Sequence, residues 1–202
     1  MKISKIEPQK RNKKRSTIYI NGSFAFGLSN EVILRFDIHE GDQVDKEVIQ
    51  NVLLEQEKQK IRERALRILH YRKRSVSELQ TRLMKVGFDN NLVQEVIEEF
   101  LGDNTLNDEN FAEAFVADYT NLKPRGNIFI GRELAKRGIS QKVIQRIISI
   151  RDEKQMVSDF LQKKLAHFDV KNPKDRQKIL RRLLSRGFTP GVVYDVLNSH
   201  EK

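Results

Sequence analysis

The residues able to do acid–base or metal chemistry are few and poorly placed for it. His39, His70, His167 and His200 are scattered along the chain. No two stand at the i, i+4 spacing that lets one helix face hold a metal, so they read as surface histidines rather than ligands or bases. Cysteine is absent, which removes disulfides, thiolate metal sites and a cysteine nucleophile and suits a reducing cytosol. Gly126 to Gly131 has the outline of a phosphate loop. It continues into Arg132-Glu133, where such a loop needs Lys followed by Ser or Thr. Asp108 reads as a helix cap, with Asn107 the alternative cap of the same helix, and most other carboxylates stand beside Lys or Arg on polar faces. The chain is therefore expected to have no catalytic residues, no metal site and no cofactor, and to work by binding rather than as an enzyme.

The chemistry that remains is electrostatic. Lys plus Arg exceed Asp plus Glu by 38 − 28 = 10, a balance that points to a polyanionic partner. Basic residues recur in three comparable stretches: Arg67, Arg72, Lys73 and Arg74; Arg125, Arg132, Lys136 and Arg137; Lys178, Arg181, Arg182 and Arg186. Another cluster, Lys10 to Arg15, precedes a β-prone segment. Any one cluster alone reads first as a solvated face. The recurrence at equivalent places gives the set its meaning, because an array of units could present it as one stripe.

The elements that must position these residues repeat. Leu79, Leu83, Gly87, Phe88, Val93, Val96 and Ile97 align without gaps with Ile130, Leu134, Gly138, Ile139, Ile144, Ile147 and Ile148. Both align with Ile179, Leu183, Gly187, Phe188, Val193, Val196 and Leu197. The glycines lie 138 − 87 = 51 and 187 − 138 = 49 residues apart. Each follows an amphipathic helix and suits the left-handed residue that ends it. The next residue is apolar and pairs with the leucine four positions before the glycine. A capping residue follows at Asp89, Ser140 and Thr189, with Pro190 at the first helical position. Ser75 to Glu78 has the form of a capping box. An additional helix precedes each pair, carrying Ala65 to Leu69, Phe111 to Val116 and Val157 to Leu165.

The expected fold is mainly α: three tandem three-helix repeats in an elongated curved array, with a small N-terminal β-ribbon. Asn21-Gly22 between two β-prone runs is a hairpin signal, with Ile3 to Glu7 as a third strand. The expected divisions are 1–44 for the ribbon and a short helix, 45–60 for a linking helix, and 61–104, 105–152 and 153–202 for the repeats. The N-terminus has no apolar core of a signal peptide, and no apolar run nears the ~20 residues of a membrane span. A helix-turn-helix DNA reader is disfavoured. Leu83, Leu134 and Leu183 stand where two such helices usually touch through a small residue.

Taken in order, several of these residues resemble the RecX family of RecA regulators. They are Ala65-Leu66-Arg67-Ile68-Leu69, Tyr71 to Ser75, Glu78-Leu79 and Gly87-Phe88, then Leu106-Asn107-Asp108 with Phe111-Ala112. Gly126, Glu133-Leu134 and Lys136 to Ile139 follow, then Gln177 to Ile179, Leu183 and Arg186 to Phe188. The resemblance spans about Ile61 to Asn198. It implies a cytoplasmic monomer that lodges in the groove of the RecA–single-stranded DNA filament. Filament growth, strand exchange, ATPase and co-protease activity would then be limited. It implies RecA and single-stranded DNA as partners, double-stranded DNA as an additional one, and no membrane. The alternative reading is a sequence-nonspecific DNA- or RNA-binding helical repeat protein. The family supplies no short catalytic motif to carry over.

Overall fold

The structure is a computed structural model that describes residues 1–200. Three strands lead the chain: β1 (Ile3–Pro8), β2 (Arg15–Ile20) and β3 (Ser23–Ser29), antiparallel in the order β1-β2-β3. Asn21 and Gly22 turn β2 into β3 with φ of 50° and 83°, the paired positive values that a two-residue hairpin needs. Alternation buries Ile3, Ile18 and Leu28 on one face, against Val32, Ile38 and Val52. Val32 belongs to the short α1 (Asn30–Arg35), which is capped by Ser29 through Val32 N–H.

The linking helix and the first helix of the first repeat are continuous. They form α2 (Lys46–Tyr71), capped by Asp45. α3 (Val76–Val86) and α4 (Asn90–Gly102) complete that repeat. The second repeat is α5 (Asp108–Asn121), α6 (Asn127–Ala135) and α7 (Gln141–Ser149). The third is α8 (Glu153–Lys164), α9 (Pro173–Ser185) and α10 (Pro190–Ser199). Among the described residues no helix is long and apolar enough to cross a membrane.

Two compact units divide this series. One combines Met1–Arg72 with Leu79–Asp103, and the other combines Lys73–Glu78 with the chain from Asn104 onward. In the first unit Ile61, Ala65, Leu79, Leu83, Val93, Val96 and Ile97 are buried. Arg62 of α2 there grips Glu99 through two hydrogen bonds, Nε to Oε2 at 2.7 Å and Nη2 to Oε1 at 2.8 Å, and also reaches Glu55. The second unit holds two separate cores. One gathers Phe111, Ile130, Leu134, Ile139, Ile144 and Ile147, and the other Val157, Phe160, Ile179, Leu183, Phe188 and Val193.

The glycine turns are as the repeat demands. Gly87, Gly138 and Gly187 have φ of 96°, 78° and 77°. Ile139 N–H reaches Leu134 O at 3.2 Å and Phe188 N–H reaches Leu183 O at 3.3 Å, the six-to-one bond of a Schellman ending. Asp89 caps α4 through Asn91 and Leu92, and Ser140 caps α7 through Val143. Thr189 departs from the expectation. Its side chain makes no cap bond, and Pro190 takes the first helical position, where a missing N–H costs nothing. Asn107, not Asp108, caps α5.

Candidate functional site

Within the second unit the same backbone device appears twice. In the first instance, the segment before α3 enters the second repeat. Ser75 Oγ donates to Arg137 O at 2.7 Å, and Val76 N–H donates to Asp108 Oδ1 at 2.9 Å. In the second, the segment before α6 enters the third repeat. Gly126 N–H donates to Arg186 O at 3.1 Å, and Asn127 N–H donates to Glu153 Oε1 at 2.6 Å. In the repeat alignment 75 matches 126, 76 matches 127 and 137 matches 186. Asp108 and Glu153 each open the first helix of the receiving repeat. Asp108 is thus a half-buried acceptor as well as a helix-opening residue. Burial raises its carboxyl, and the Val76 N–H opposes that rise. The third repeat offers no such segment. α9 begins a turn earlier at Pro173, and Arg176 N–H is bonded to Asn172 O inside the helix.

Three glycines allow this close approach. A Cβ on Gly126 would lie 2.1 Å from Phe188 Cα, one on Gly138 would lie 2.6 Å from Ser77 Cβ, and one on Gly187 would lie 2.5 Å from Phe129 Cβ. Arg151, which sequence reasoning passed over, braces the second junction by donating to Arg125 O at 2.9 Å, to Thr120 Oγ1 at 3.2 Å and to Asn127. Burial pushes its guanidinium below the ordinary value, with Glu153 acting the other way. Glu153, also passed over, is 5% exposed and accepts from Thr189 N–H as well as Asn127. Its position at the start of α8 gave only a cap-like signal.

The side chains of the two junctions differ in charge. At the first, Arg137 stacks on Phe115 with its guanidinium carbon 4.8 Å from the ring centre. It pairs with Glu133 at 2.9 Å and lies 3.7 Å from Glu78. Arg74, 8% exposed, lies 3.9 Å from Glu78. The hydrogen bond from Arg137, and then Lys136, hold the Glu133 carboxyl below its usual range. At the second, Arg186 stacks on Phe160 at 4.6 Å and Arg125 on Phe129 at 4.7 Å. The positions of Glu78 and Glu133 are here Phe129 and Arg182. A cleft of about 620 Å³ opens among Lys123, Arg125, Lys164, Arg182 and Arg186, floored by Phe160, Leu165, Leu122 and Pro124. Among the described residues none of those five cations forms an ion pair. Burial, and then the Arg125 charge, depress the Arg186 guanidinium. The buried Arg125 Nε makes no hydrogen bond.

The other basic residues singled out from sequence fall in several settings. Arg67 lies on α2 and bonds Glu63 O at 3.2 Å, and Arg72 ends that helix, both in the first unit. Lys73 opens the segment before α3. Arg132 and Arg181 lie on α6 and α9, and both are exposed. Lys136 pairs with Glu133 and Lys178 with Asp175, both at 3.1 Å. Lys178 and Arg182 both lie over one ring, Phe168, at 5.5 Å and 4.8 Å. The structure therefore brings Arg125, Arg182 and Arg186 together and adds Lys123 and Lys164 to them. Arg74 and Arg137 sit instead at the acid-paired junction.

A small β-sheet, tandem three-helix units and an arginine-lined cleft define a helical repeat protein with a cationic cleft. Its sequence matches three family models: the regulatory protein RecX N-terminal domain over residues 1–45, the RecX first three-helix domain over 62–100, and the second over 107–147. The chain is 32% identical over 199 residues to the regulatory protein RecX of Halalkalibacterium halodurans, covering 95% of this chain and 75% of that one. It is 31% identical over 204 residues to that of Clostridium perfringens strain SM101, covering 98% and 93%. A crystal structure of regulatory protein RecX superposes with a TM-score of 0.80 over 98% of both chains at 23% identity. That of RecX from Lactobacillus salivarius gives 0.62 over 71% of this chain and 96% of the other at 22% identity. This chain belongs to the RecX family of regulatory proteins.

Proposed function

We propose that this chain is a negative regulator of the RecA recombinase, acting by binding rather than catalysis. It lodges as a cytoplasmic monomer in the groove of the RecA–single-stranded DNA filament. There it limits filament growth, strand exchange, ATP hydrolysis and co-protease activity during recombination and the response to DNA damage. The observation that carries the reading is family membership across nearly the whole chain. The physical handle is the excess of ten positive charges and the recurring basic residues, Arg67 to Arg74, Arg125 to Arg137 and Lys178 to Arg186. Tandem units add weak contacts through effective concentration.

A second reading, a sequence-nonspecific DNA- or RNA-binding repeat protein, is favoured by one observation: the cluster of unpaired cations in the second unit's cleft. It requires full nucleic-acid affinity without RecA and no effect on RecA beyond competition for strand. The separating experiment measures RecA ATPase on single-stranded DNA with increasing protein. Inhibition at substoichiometric protein-to-nucleotide ratios, where free strand remains abundant, supports the regulator. Unaffected hydrolysis at protein stoichiometric with RecA overturns it.

A further inference from the structure

We propose that the cleft between the second and third repeats is a seat for the phosphodiester backbone of a single nucleic-acid strand, held by Arg125, Arg182 and Arg186. This deepens the reading above by naming its nucleic-acid contact, and it rests on that reading for the biological source of the strand.

The argument comes from the paired junctions. Both keep an arginine before the glycine, stacked on an aromatic ring of the receiving repeat: Arg137 on Phe115 and Arg186 on Phe160. Both keep an arginine on the entering segment, Arg74 and Arg125. The first junction balances this pair with Glu78 and Glu133. The second has Phe129 and Arg182 in those places, so its two arginines face each other with a third cation added. Partly desolvated like charges oppose folding unless an anion joins them. No internal carboxylate does so among the described residues, which leaves the cleft open to an anion from outside the chain.

The form of the cleft narrows the ligand. Guanidinium forks match two oxygens of one phosphate. Stacking on Phe160 and Phe129 fixes the planes of Arg186 and Arg125 in advance of binding, which limits the rotamer freedom given up on complex formation. About 620 Å³ is large for a lone phosphate ion, and the apolar floor of Leu122, Pro124 and Phe160 suits sugar or base edges beside the backbone. Lys123 and Lys164 also line the cleft, and a strand, with one phosphate per nucleotide, carries further phosphates to them.

The test uses the full chain without RecA and a fluorescein-labelled oligothymidylate followed by anisotropy. Arg182→Glu installs the acid of the first junction, and Lys142→Glu on α7 makes the same change of charge at an exposed site outside the cleft. Circular dichroism and melting temperature control for folding. Arg182→Glu is expected to melt no lower than wild type and to weaken binding about tenfold, with the slope of log K against log salt reduced by about 0.7 for each phosphate the variant no longer neutralises. Arg186→Gln should weaken binding in the same direction without reversing a charge. Lys142→Glu should weaken it by less than about threefold, through the long-range field alone. Equal weakening in Arg182→Glu and Lys142→Glu, or wild-type affinity and slope in Arg182→Glu, would overturn the seat. Pyrophosphate supplies the second arm. If it raises the melting temperature of wild type while Arg182→Glu leaves oligonucleotide affinity intact, the cleft takes free phosphate and the strand assignment fails. Because RecA is absent throughout, failure here leaves the RecA reading to its own ATPase test.

Discussion

The two junctions of the second unit share a backbone and differ in charge. In each, a segment from one repeat delivers a hydrogen bond to the carbonyl before the next glycine turn. In each, it also delivers an N–H to a carboxylate that opens the next repeat's first helix. That part is architectural and tolerates little change. The side chains around it are separable. Glu78 and Glu133 neutralise the first junction, while Phe129 and Arg182 leave the second positive. One scaffold thus makes a closed structural joint and an open cationic one, and the difference rests on two residues.

The comparison breaks most severely at Gly126. Its counterpart Ser75 carries a side chain and uses it, but a Cβ at 126 would meet Phe188 Cα at 2.1 Å. Gly126→Ser should lower stability by about 3 kcal/mol, since backbone rather than a movable side chain must yield. Denaturant midpoints would show this, and an unchanged midpoint would mean that the junction is looser than described. Gly138→Val comes next. It forces a branched residue into positive φ and crowds Ser77, for about 1–2 kcal/mol from the backbone alone. The same midpoints check it, and a value equal to wild type would mean that the turn does not need its left-handed residue.

Charge changes are smaller and sharpen the contrast. Glu133→Gln should cost about 1 kcal/mol at neutral pH, because it removes the better-aligned partner of Arg137. Its sign with pH follows from the depressed carboxyl. The contribution is present above the ordinary glutamate value and disappears as pH falls through the lower folded value. Stability curves of Glu133→Gln and wild type should therefore converge in acid below about pH 4.5. Curves that stay parallel would mean that the ion pair is not the cause. The smallest effect is the converse one. Arg182→Glu places an acid four residues before Arg186, as Glu133 stands before Arg137, and should raise stability by about 0.5 kcal/mol. A lower stability would show that Arg182 itself supports the fold.

Most of the fold was legible because the repeat writes itself in apolar spacing and in glycines that must take positive φ. Gly87, Gly138 and Gly187, the caps at Asp89 and Ser140, and the Asn21-Gly22 hairpin all follow from local rules. The long α2 was harder, since nothing around Ile61 signals either a break or its absence. The cleft was half legible. Arg125, Arg182 and Arg186 stood out as basic residues, but so did Arg74 and Arg137, and the sequence does not say which will meet acids. That depends on what faces what across a junction between residues some sixty positions apart, such as Ser75 with Arg137. Glu153 and Arg151 were passed over for the same reason. Their roles exist only once two repeats are packed, when one carboxylate accepts Asn127 N–H and Thr189 N–H together.

If the proposed regulation of RecA runs through the strand seat, the open junction should set how strongly this chain inhibits RecA. RecA ATPase on single-stranded DNA, titrated with wild type, Arg182→Glu and Lys142→Glu, tests it most directly. The account predicts inhibition by wild type and Lys142→Glu at similar concentrations. It predicts a shift of about tenfold or more for folded Arg182→Glu, which puts a negative charge among the cations of the cleft. Equal inhibition by all three would contradict it.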